Sequence, residues 1–243
     1  MKSIQEIYSS KTGKVSDKWE SYLPHYNEIF KPLQKKNVSI LEIGVQNGGS
    51  LEVYAEYFAS GESFIGCDID QKCSDLDYDD DRIKVVVGNV NKETTYKKIT
   101  EVTKIFDIII DDGSHLSGDI INSFLVYFPH VRPGGVYIVE DIHTLYLRDW
   151  EGGILNEAGA MSFFKKIIDI TNYQFWKDDL SIATFLRTFF DNKYNPETIT
   201  KGWIESIEFK NSIITIKKSM VPSHDKLGKR ITAGHDAMVT PLT

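Results

Sequence analysis

Hydrophobic and polar positions change period repeatedly along the first two-thirds of the chain. Short β-rich runs at 38–44, 63–68, 83–87, 106–110 and 136–139 read as five strands. Between them lie segments with apolar residues three and four apart, the spacing of one helix face. In 51–60 those residues are Leu51, Tyr54, Ala55 and Phe58. The spacing also predicts helices over 92–102 and 117–128, and Pro133-Gly134-Gly135 reads as a turn before the fifth strand. Strands alternating with helices predict a parallel sheet with helices on both faces. The near-continuous apolar runs fit strands buried on both sides.

The last third changes character. Residues 158–190 carry aromatic and aliphatic side chains at helical spacing, with Phe163, Phe164 and Phe185 expected in a helix core rather than a binding box. Two alternating runs, 203–209 and 213–217, flank Lys210-Asn211-Ser212 and predict a hairpin. The expected fold is therefore α/β and doubly wound, with a mostly parallel sheet, a C-terminal antiparallel hairpin and helical additions. From Met220 onward small and polar residues predict a loop over the site or an unstructured tail, in which His224 and His235 read as solvated.

Composition narrows the partners. The chain has 243 residues, 41% hydrophobic and 26% charged, enough for one sizeable core. A net charge of -7 without a long basic tract argues against nucleic acid. Two cysteines, Cys67 and Cys73, are too few for a disulfide scaffold or a zinc site. No apolar leader and no run of membrane-spanning length is present, so the expected location is the cytoplasm, away from the membrane.

Two clusters carry the chemistry. Asp111-Asp112-Gly113-Ser114-His115 follows the fourth strand, and Glu140-Asp141-Ile142-His143 follows the fifth. The carboxyl edge of a parallel sheet is where ligands bind. Anions gathered there repel unless a cation or proton sits between them. A hard divalent ion with oxygen ligands, Mg²⁺, suits that edge. The plainer alternative is that Asp111 and Asp112 cap the next helix.

A glycine turn, Gly44-Val45-Gln46-Asn47-Gly48-Gly49-Ser50, follows the first strand and opens a helix. Gln46 stands where a dinucleotide fingerprint has its middle glycine, which favours a ligand without phosphates. Glu42 would repel phosphate and suits an ammonium group. Asp68, 20 residues after Gly48, stands at the distance of an acid that grips ribose hydroxyls, with Asp70 in reserve. Asn89 is placed to reach an adenine edge. For Asp70 and Asn89 ordinary turn chemistry explains the residue equally well.

Glu42-x-Gly44, Asp68, Asp112-Gly113-Ser114-His115 and Glu140-Asp141 together resemble class I S-adenosylmethionine-dependent methyltransferases. Within these they are similar to the metal-dependent macrolide sugar O-methyltransferases of the mycinamicin and macrocin type. The resemblance covers 38–143 and extends to the hairpin; Ser16-Asp17-Lys18 with His25-Tyr26 also resembles the first segment of those enzymes. It implies a Rossmann-like, seven-stranded fold. It implies a cofactor pocket of Glu42, Gly44, Gly48, Ser50, Asp68 and Asn89 with Asp111 as neighbour, Mg²⁺ on Asp112, Glu140 and Asp141, and His115 as general base. His143, Tyr146, His25 and Tyr26 are the acceptor-side candidates, although a lone histidine such as His143 is more often a satisfied polar residue.

The expected organisation is a single methyltransferase domain over 1–243. It comprises an N-terminal helical cover (1–37), a cofactor and metal core (38–147), a helical acceptor-side segment (148–202), a closing hairpin (203–219) and a tail (220–243). The expected reaction moves a methyl group from S-adenosylmethionine to a hydroxyl of a sugar or sugar-containing small molecule, whether antibiotic, polysaccharide or nucleotide-linked precursor. Related enzymes imply a homo-oligomer. Two competitors remain: an iron-dependent hydroxylase, disfavoured because such triads use two histidines and one carboxylate, and a non-catalytic S-adenosylmethionine-binding module, which would need neither His115 nor the carboxylates.

Overall fold

The alternation of apolar side chains along each strand feeds two separate cores, one on either face of a single sheet. In the computed structural model, which describes residues 2–176, 179–189, 197–222, 227–236 and 238–239, the strands are β1 (Ser39–Ile43), β2 (Ser63–Asp68), β3 (Ile83–Val87), β4 (Phe106–Asp111), β5 (Val131–Val139), β6 (Ile204–Lys210) and β7 (Ile213–Lys218). They form a seven-stranded sheet in the order β3-β2-β1-β4-β5-β7-β6. Pairs among β1 to β5 are parallel, while β7 runs antiparallel to both β5 and β6. The expected doubly wound sheet with a closing hairpin is the sheet observed.

One face carries Leu41, Ile43, Ile65, Ile109 and Val139 against Phe124 of α5 (Ser117–Tyr127) and Phe163 and Phe164 of α6 (Ala160–Thr171). The other carries Ile40, Phe64, Ile108, Ile110 and Ile138. It is covered by α1 (Ile4–Ser9), α2 (Tyr22–Phe30) and α3 (Gly49–Tyr57), which contribute Tyr22, Tyr26, Phe30 and Tyr54. Because β1 is buried on both faces, every one of its residues is buried. Ser3 and Glu6 form a reciprocal capping box that starts α1. Helix α4 (Glu93–Val102) connects β3 to β4.

The structure departs from expectation in three places. Pro133-Gly134-Gly135 does not precede β5 as a turn but lies within it. Val131 pairs with Phe106 and Val136 with Ile108, so the extra residues form an irregularity in the ladder. Gly135 is required there, since a Cβ would stand 2.6 Å from the carbonyl oxygen of Asp107. Secondly, the helical spacing over 158–190 is not one helix. Helix α6 ends at Thr171, a single turn follows at Tyr173–Phe175, and a short helix spans Ile182–Phe185. Phe163 and Phe164 are fully buried, as expected of core; Phe190 lies outside the described residues. Finally, the hairpin turn is two residues, Asn211 and Ser212, with Ser212 at φ 65°. His235 is exposed and His224 lies outside the described residues. Among the described residues, no helix is long and apolar enough to cross a membrane.

Candidate active site

β1 and β4 are neighbours in the sheet but not in sequence, and the chain winds away from them in opposite directions. At such a switch point the loops leaving the two carboxyl ends part and leave a crevice. A cavity of about 720 Å³ opens there, lined by Val15–Lys18, the Gly44 turn, Asp68–Asp70, Asn89 and Asp111–His115. That volume is in the range of small-molecule sites.

The glycine turn is built by backbone contacts. Gly44 donates its N–H to Cys67 O at 2.8 Å, and Asp112 donates to Ile43 O at 2.8 Å. Gly44 has φ 88°, and a Cβ there would lie 2.0 Å from Asp112 O, so only glycine fits. Gly48, at φ 76°, precedes α3. Asp68 anchors the turn: its Oδ2 accepts from the N–H groups of Val45 (2.8 Å) and Gln46 (2.9 Å), and its Oδ1 from Asp70 N–H. Asn89 and Asp70 both line the cavity, and each accepts a hydrogen bond from the backbone two residues on, as turn residues do. Asp111 is buried; its carboxylate accepts from Tyr137 Oη at 3.1 Å. Burial pushes its pKa up to about 7 against the pull of those hydrogen bonds.

Glu42 is wholly buried and accepts hydrogen bonds from the hydroxyls of Ser50 and Tyr54. Burial pushes its pKa upward. The cation it faces is the chain's own, Lys18 Nζ at 3.6 Å. That ammonium, 3% exposed, also donates to Asp112 Oδ2 at 2.5 Å and Glu140 Oε1 at 2.9 Å. Burial alone would lower the lysine's pKa, but Glu140, Asp112 and Glu42 outweigh it and hold the group well above its ordinary value. Glu140 also accepts from the hydroxyl of Tyr26, and burial pushes its pKa up to about 8 against the pull of Lys18.

At the mouth of the crevice Asp112, His115 and Asp141 place donor atoms within 4.8 Å of one another. His115 Nε2 lies 4.0 Å from Asp112 Oδ1 and 3.8 Å from Asp141 Oδ2. His115 and Asp141 both have left-handed backbones, at φ 56° and 53°. Two such residues side by side are uncommon, and strain of this kind collects at functional sites. Asp141 Oδ1 accepts from Trp19 Nε1 (2.9 Å) and Tyr22 Oη (2.8 Å), so its second oxygen is the one that faces His115.

The acceptor-side candidates are not gathered. His25 and Tyr26 lie on the buried face of α2, outside the cavity lining: His25 Nε2 bonds Thr215 Oγ1 at 2.8 Å, and Tyr26 donates to Glu140. Their apolar neighbours in the N-terminal layer draw them inward. His143, half-exposed, bonds Ser212 Oγ through Nδ1 at 2.5 Å, and Tyr146 is 44% exposed; neither lines the cavity. Sequence reasoning gave no role to Lys18, Trp19 or Tyr22. The signal available was the Ser16-Asp17-Lys18 segment, which holds Lys18 and runs directly into Trp19 and on to Tyr22, with the partners Asp112, Glu140 and Asp141 lying 94 to 122 residues away.

A family model described as a methyltransferase domain matches residues 41–142, the stretch that holds the glycine turn and both acidic clusters. Over that stretch the chain is similar to methyltransferase domains. Relatives it matches are named as O-methyltransferases. The mycinamicin VI 2''-O-methyltransferase of Micromonospora griseorubida is 38% identical over 163 residues, 63% of this chain and 40% of that protein. The demethylmacrocin O-methyltransferase of Streptomyces fradiae is 32% identical over 178 residues, 68% of this chain and 44% of that protein. The chain thus spans less than half the length of these curated relatives. The solved MycE methyltransferase of the mycinamycin pathway, in complex with Mg, SAH and mycinamycin VI, aligns with a TM-score of 0.73 at 26% identity, covering 97% of this chain and 57% of that one. An O-methyltransferase from Bacillus cereus, TM-score 0.50 at 15% identity, shares the fold. The resemblance to macrolide sugar O-methyltransferases read from the motif residues is the one these comparisons return.

Proposed function

We propose that this protein moves a methyl group from S-adenosylmethionine to a hydroxyl of a sugar-containing small molecule, with Mg²⁺ at the acidic edge and His115 as general base. The observation that carries the reading is the convergence of Asp112, His115 and Asp141 at the mouth of the crevice between β1 and β4. The donor set fits the ion: carboxylate oxygens dominate, as a hard cation requires. Asp112 and Asp141 would hold it, with Glu140 beside them once its carboxylate is shared with Lys18. The cavity suits the donor: Gly44 lets the Asp112 backbone close against the turn, and Asp68 and Asn89 line the space a nucleoside would take.

When bound, S-adenosylmethionine supplies an electrophilic methyl group and Mg²⁺ makes a sugar hydroxyl more acidic and fixes its position. His115 Nε2 accepts the hydroxyl proton, a task suited to an imidazole near neutral pH. Asp141 and Asp112 both lie within 4.0 Å of that nitrogen and would stabilise the cation the ring becomes. Trp19 and Tyr22 hold Asp141 in place. Alignment of the hydroxyl with the methyl group supplies most of the acceleration.

The sugar acceptor is supported by relatives that are named for macrolide and rhamnosyl-tetracenomycin substrates. The test is a mass-shift screen of glycosides and nucleotide-linked sugars with S-adenosylmethionine and Mg²⁺. Transfer to at least one pyranoside is expected; binding of S-adenosylhomocysteine without transfer to any of them would return the chain to a cofactor-binding module. An anaerobic repeat separates methyl transfer, which needs no oxygen, from hydroxylation.

A further inference from the structure

Trp19 is 58% exposed, yet it is pinned at the site. Its Nε1–H donates to Asp141 Oδ1 at 2.9 Å, and its ring stands at 86° to that of His143, with centroids 6.0 Å apart. A single exposed apolar residue is ordinary, so what distinguishes this ring is that it is held in place. Here the indole spends its one polar group on a carboxylate whose other oxygen faces His115. Trp19 and the base therefore flank the same side chain. Trp19 also directly follows Lys18, the last N-terminal residue on the cavity wall, so the indole continues that wall outward.

We propose that Trp19 is the acceptor platform: its exposed face receives the C–H face of a pyranose ring while one hydroxyl of that ring is presented to His115. This rests on the sugar methylation proposed above. The physical basis is complementarity of charge and shape. The face of an indole carries negative quadrupole charge, and the C–H groups on the face of a pyranose are weakly positive and dry. A platform fixed by a hydrogen bond and an edge contact loses little freedom on binding, which suits a ligand with few apolar groups of its own.

The test compares Trp19→Ala and Trp19→Phe in steady-state assays with S-adenosylmethionine, Mg²⁺ and a panel running from methyl hexopyranosides to macrolide glycosides. Thermal melts check that both variants fold. Trp19→Ala is expected to raise KM for the glycoside roughly five- to tenfold and, because Asp141 loses a hydrogen bond, to lower kcat by a smaller factor, leaving the KM for S-adenosylmethionine within about twofold. Trp19→Phe, which keeps a ring but has no N–H for Asp141, is expected to restore most of the KM while sharing the fall in kcat. If Trp19→Phe is as impaired in KM as Trp19→Ala, Trp19 acts only by holding Asp141 and the platform is overturned. An unchanged KM in Trp19→Ala overturns it too. A wild-type chain that methylates flat phenolic acceptors but no pyranoside defeats the sugar reading and the platform together, whereas pyranoside turnover with indifferent variants defeats the platform alone.

Discussion

At the residue scale the site divides into groups that act on a ligand and groups that hold those groups still. In the proposed reaction His115 belongs to the first set. His115→Ala should cut methyl transfer about 10²- to 10⁴-fold while calorimetry shows S-adenosylhomocysteine still binding, because the imidazole lies outside the glycine turn. Near-normal turnover in that variant would remove His115 from the role of base. Lys18 belongs to the second set. Its ammonium is buried among Glu42, Asp112 and Glu140, and removing one partner of a buried ionic cluster strands the others. Lys18→Met should therefore lower stability by about 3–5 kcal/mol in urea unfolding, and added Mg²⁺ should raise its melting temperature more than that of the wild type. Equal shifts would mean that ion and lysine do not share the same carboxylates. The Asp112–His115 spacing and the Glu140-Asp141 pair were legible because each follows an apolar strand directly. Lys18, Trp19 and Tyr22 were not, because a lone lysine or tryptophan in a polar N-terminal stretch has the composition of ordinary surface. Their hydrogen bonds to Asp112, Glu140 and Asp141 join residues 94 to 122 apart in sequence.

At the scale of elements, periodicity identified every strand of the sheet, since parallel strands buried on both faces leave uninterrupted apolar runs. It misplaced the start of β5, because Pro133-Gly134-Gly135 carries turn chemistry into a ladder that bends around Asp107. The helical spacing over 158–190 gave no sign of where α6 stops, since core-facing aromatic residues keep that spacing even where the backbone breaks. The hairpin holds a further testable feature in Lys218. Its buried Nζ donates to the carbonyls of Pro129 and Val131 at 2.7 Å, tying β7 to the start of β5. Burial pushes its pKa from 10.5 down to about 8. Below both values folded and unfolded chains alike hold the proton, and the cost of burying the charge is present in full. Between them the unfolded chain keeps a proton that the folded chain has released, so this position adds stability as pH rises. Unfolding free energies of wild type minus Lys218→Met should accordingly climb from about pH 8 to about pH 10.5. A flat difference would show that the carbonyl acceptors keep the lysine charged throughout.

At the scale of the whole molecule, the fold explains why distant residues meet. Reversal of strand order between β1 and β4 opens the crevice, the parallel direction of β1 to β5 brings their chemical residues to one edge, and the N-terminal segment closes over that edge with Lys18 and Trp19. The glycine turn and the acidic mouth are thus two ends of one cavity, as the proposed in-line transfer requires. Both cysteines are spectators in this arrangement: burial raises Cys67 to about 12 and Cys73 to about 11. Neither thiol should react quickly with a disulfide reagent at pH 8 in the native state, and rapid labelling of Cys67 would contradict the packing of β2. The most direct test of the central claim is methyl transfer to a pyranoside, followed by mass spectrometry in exhaustively chelated buffer and again after Mg²⁺ is restored. The methylated product should vanish on chelation and return with the ion; full turnover in the chelated buffer would contradict a metal-assisted site at Asp112, Glu140 and Asp141.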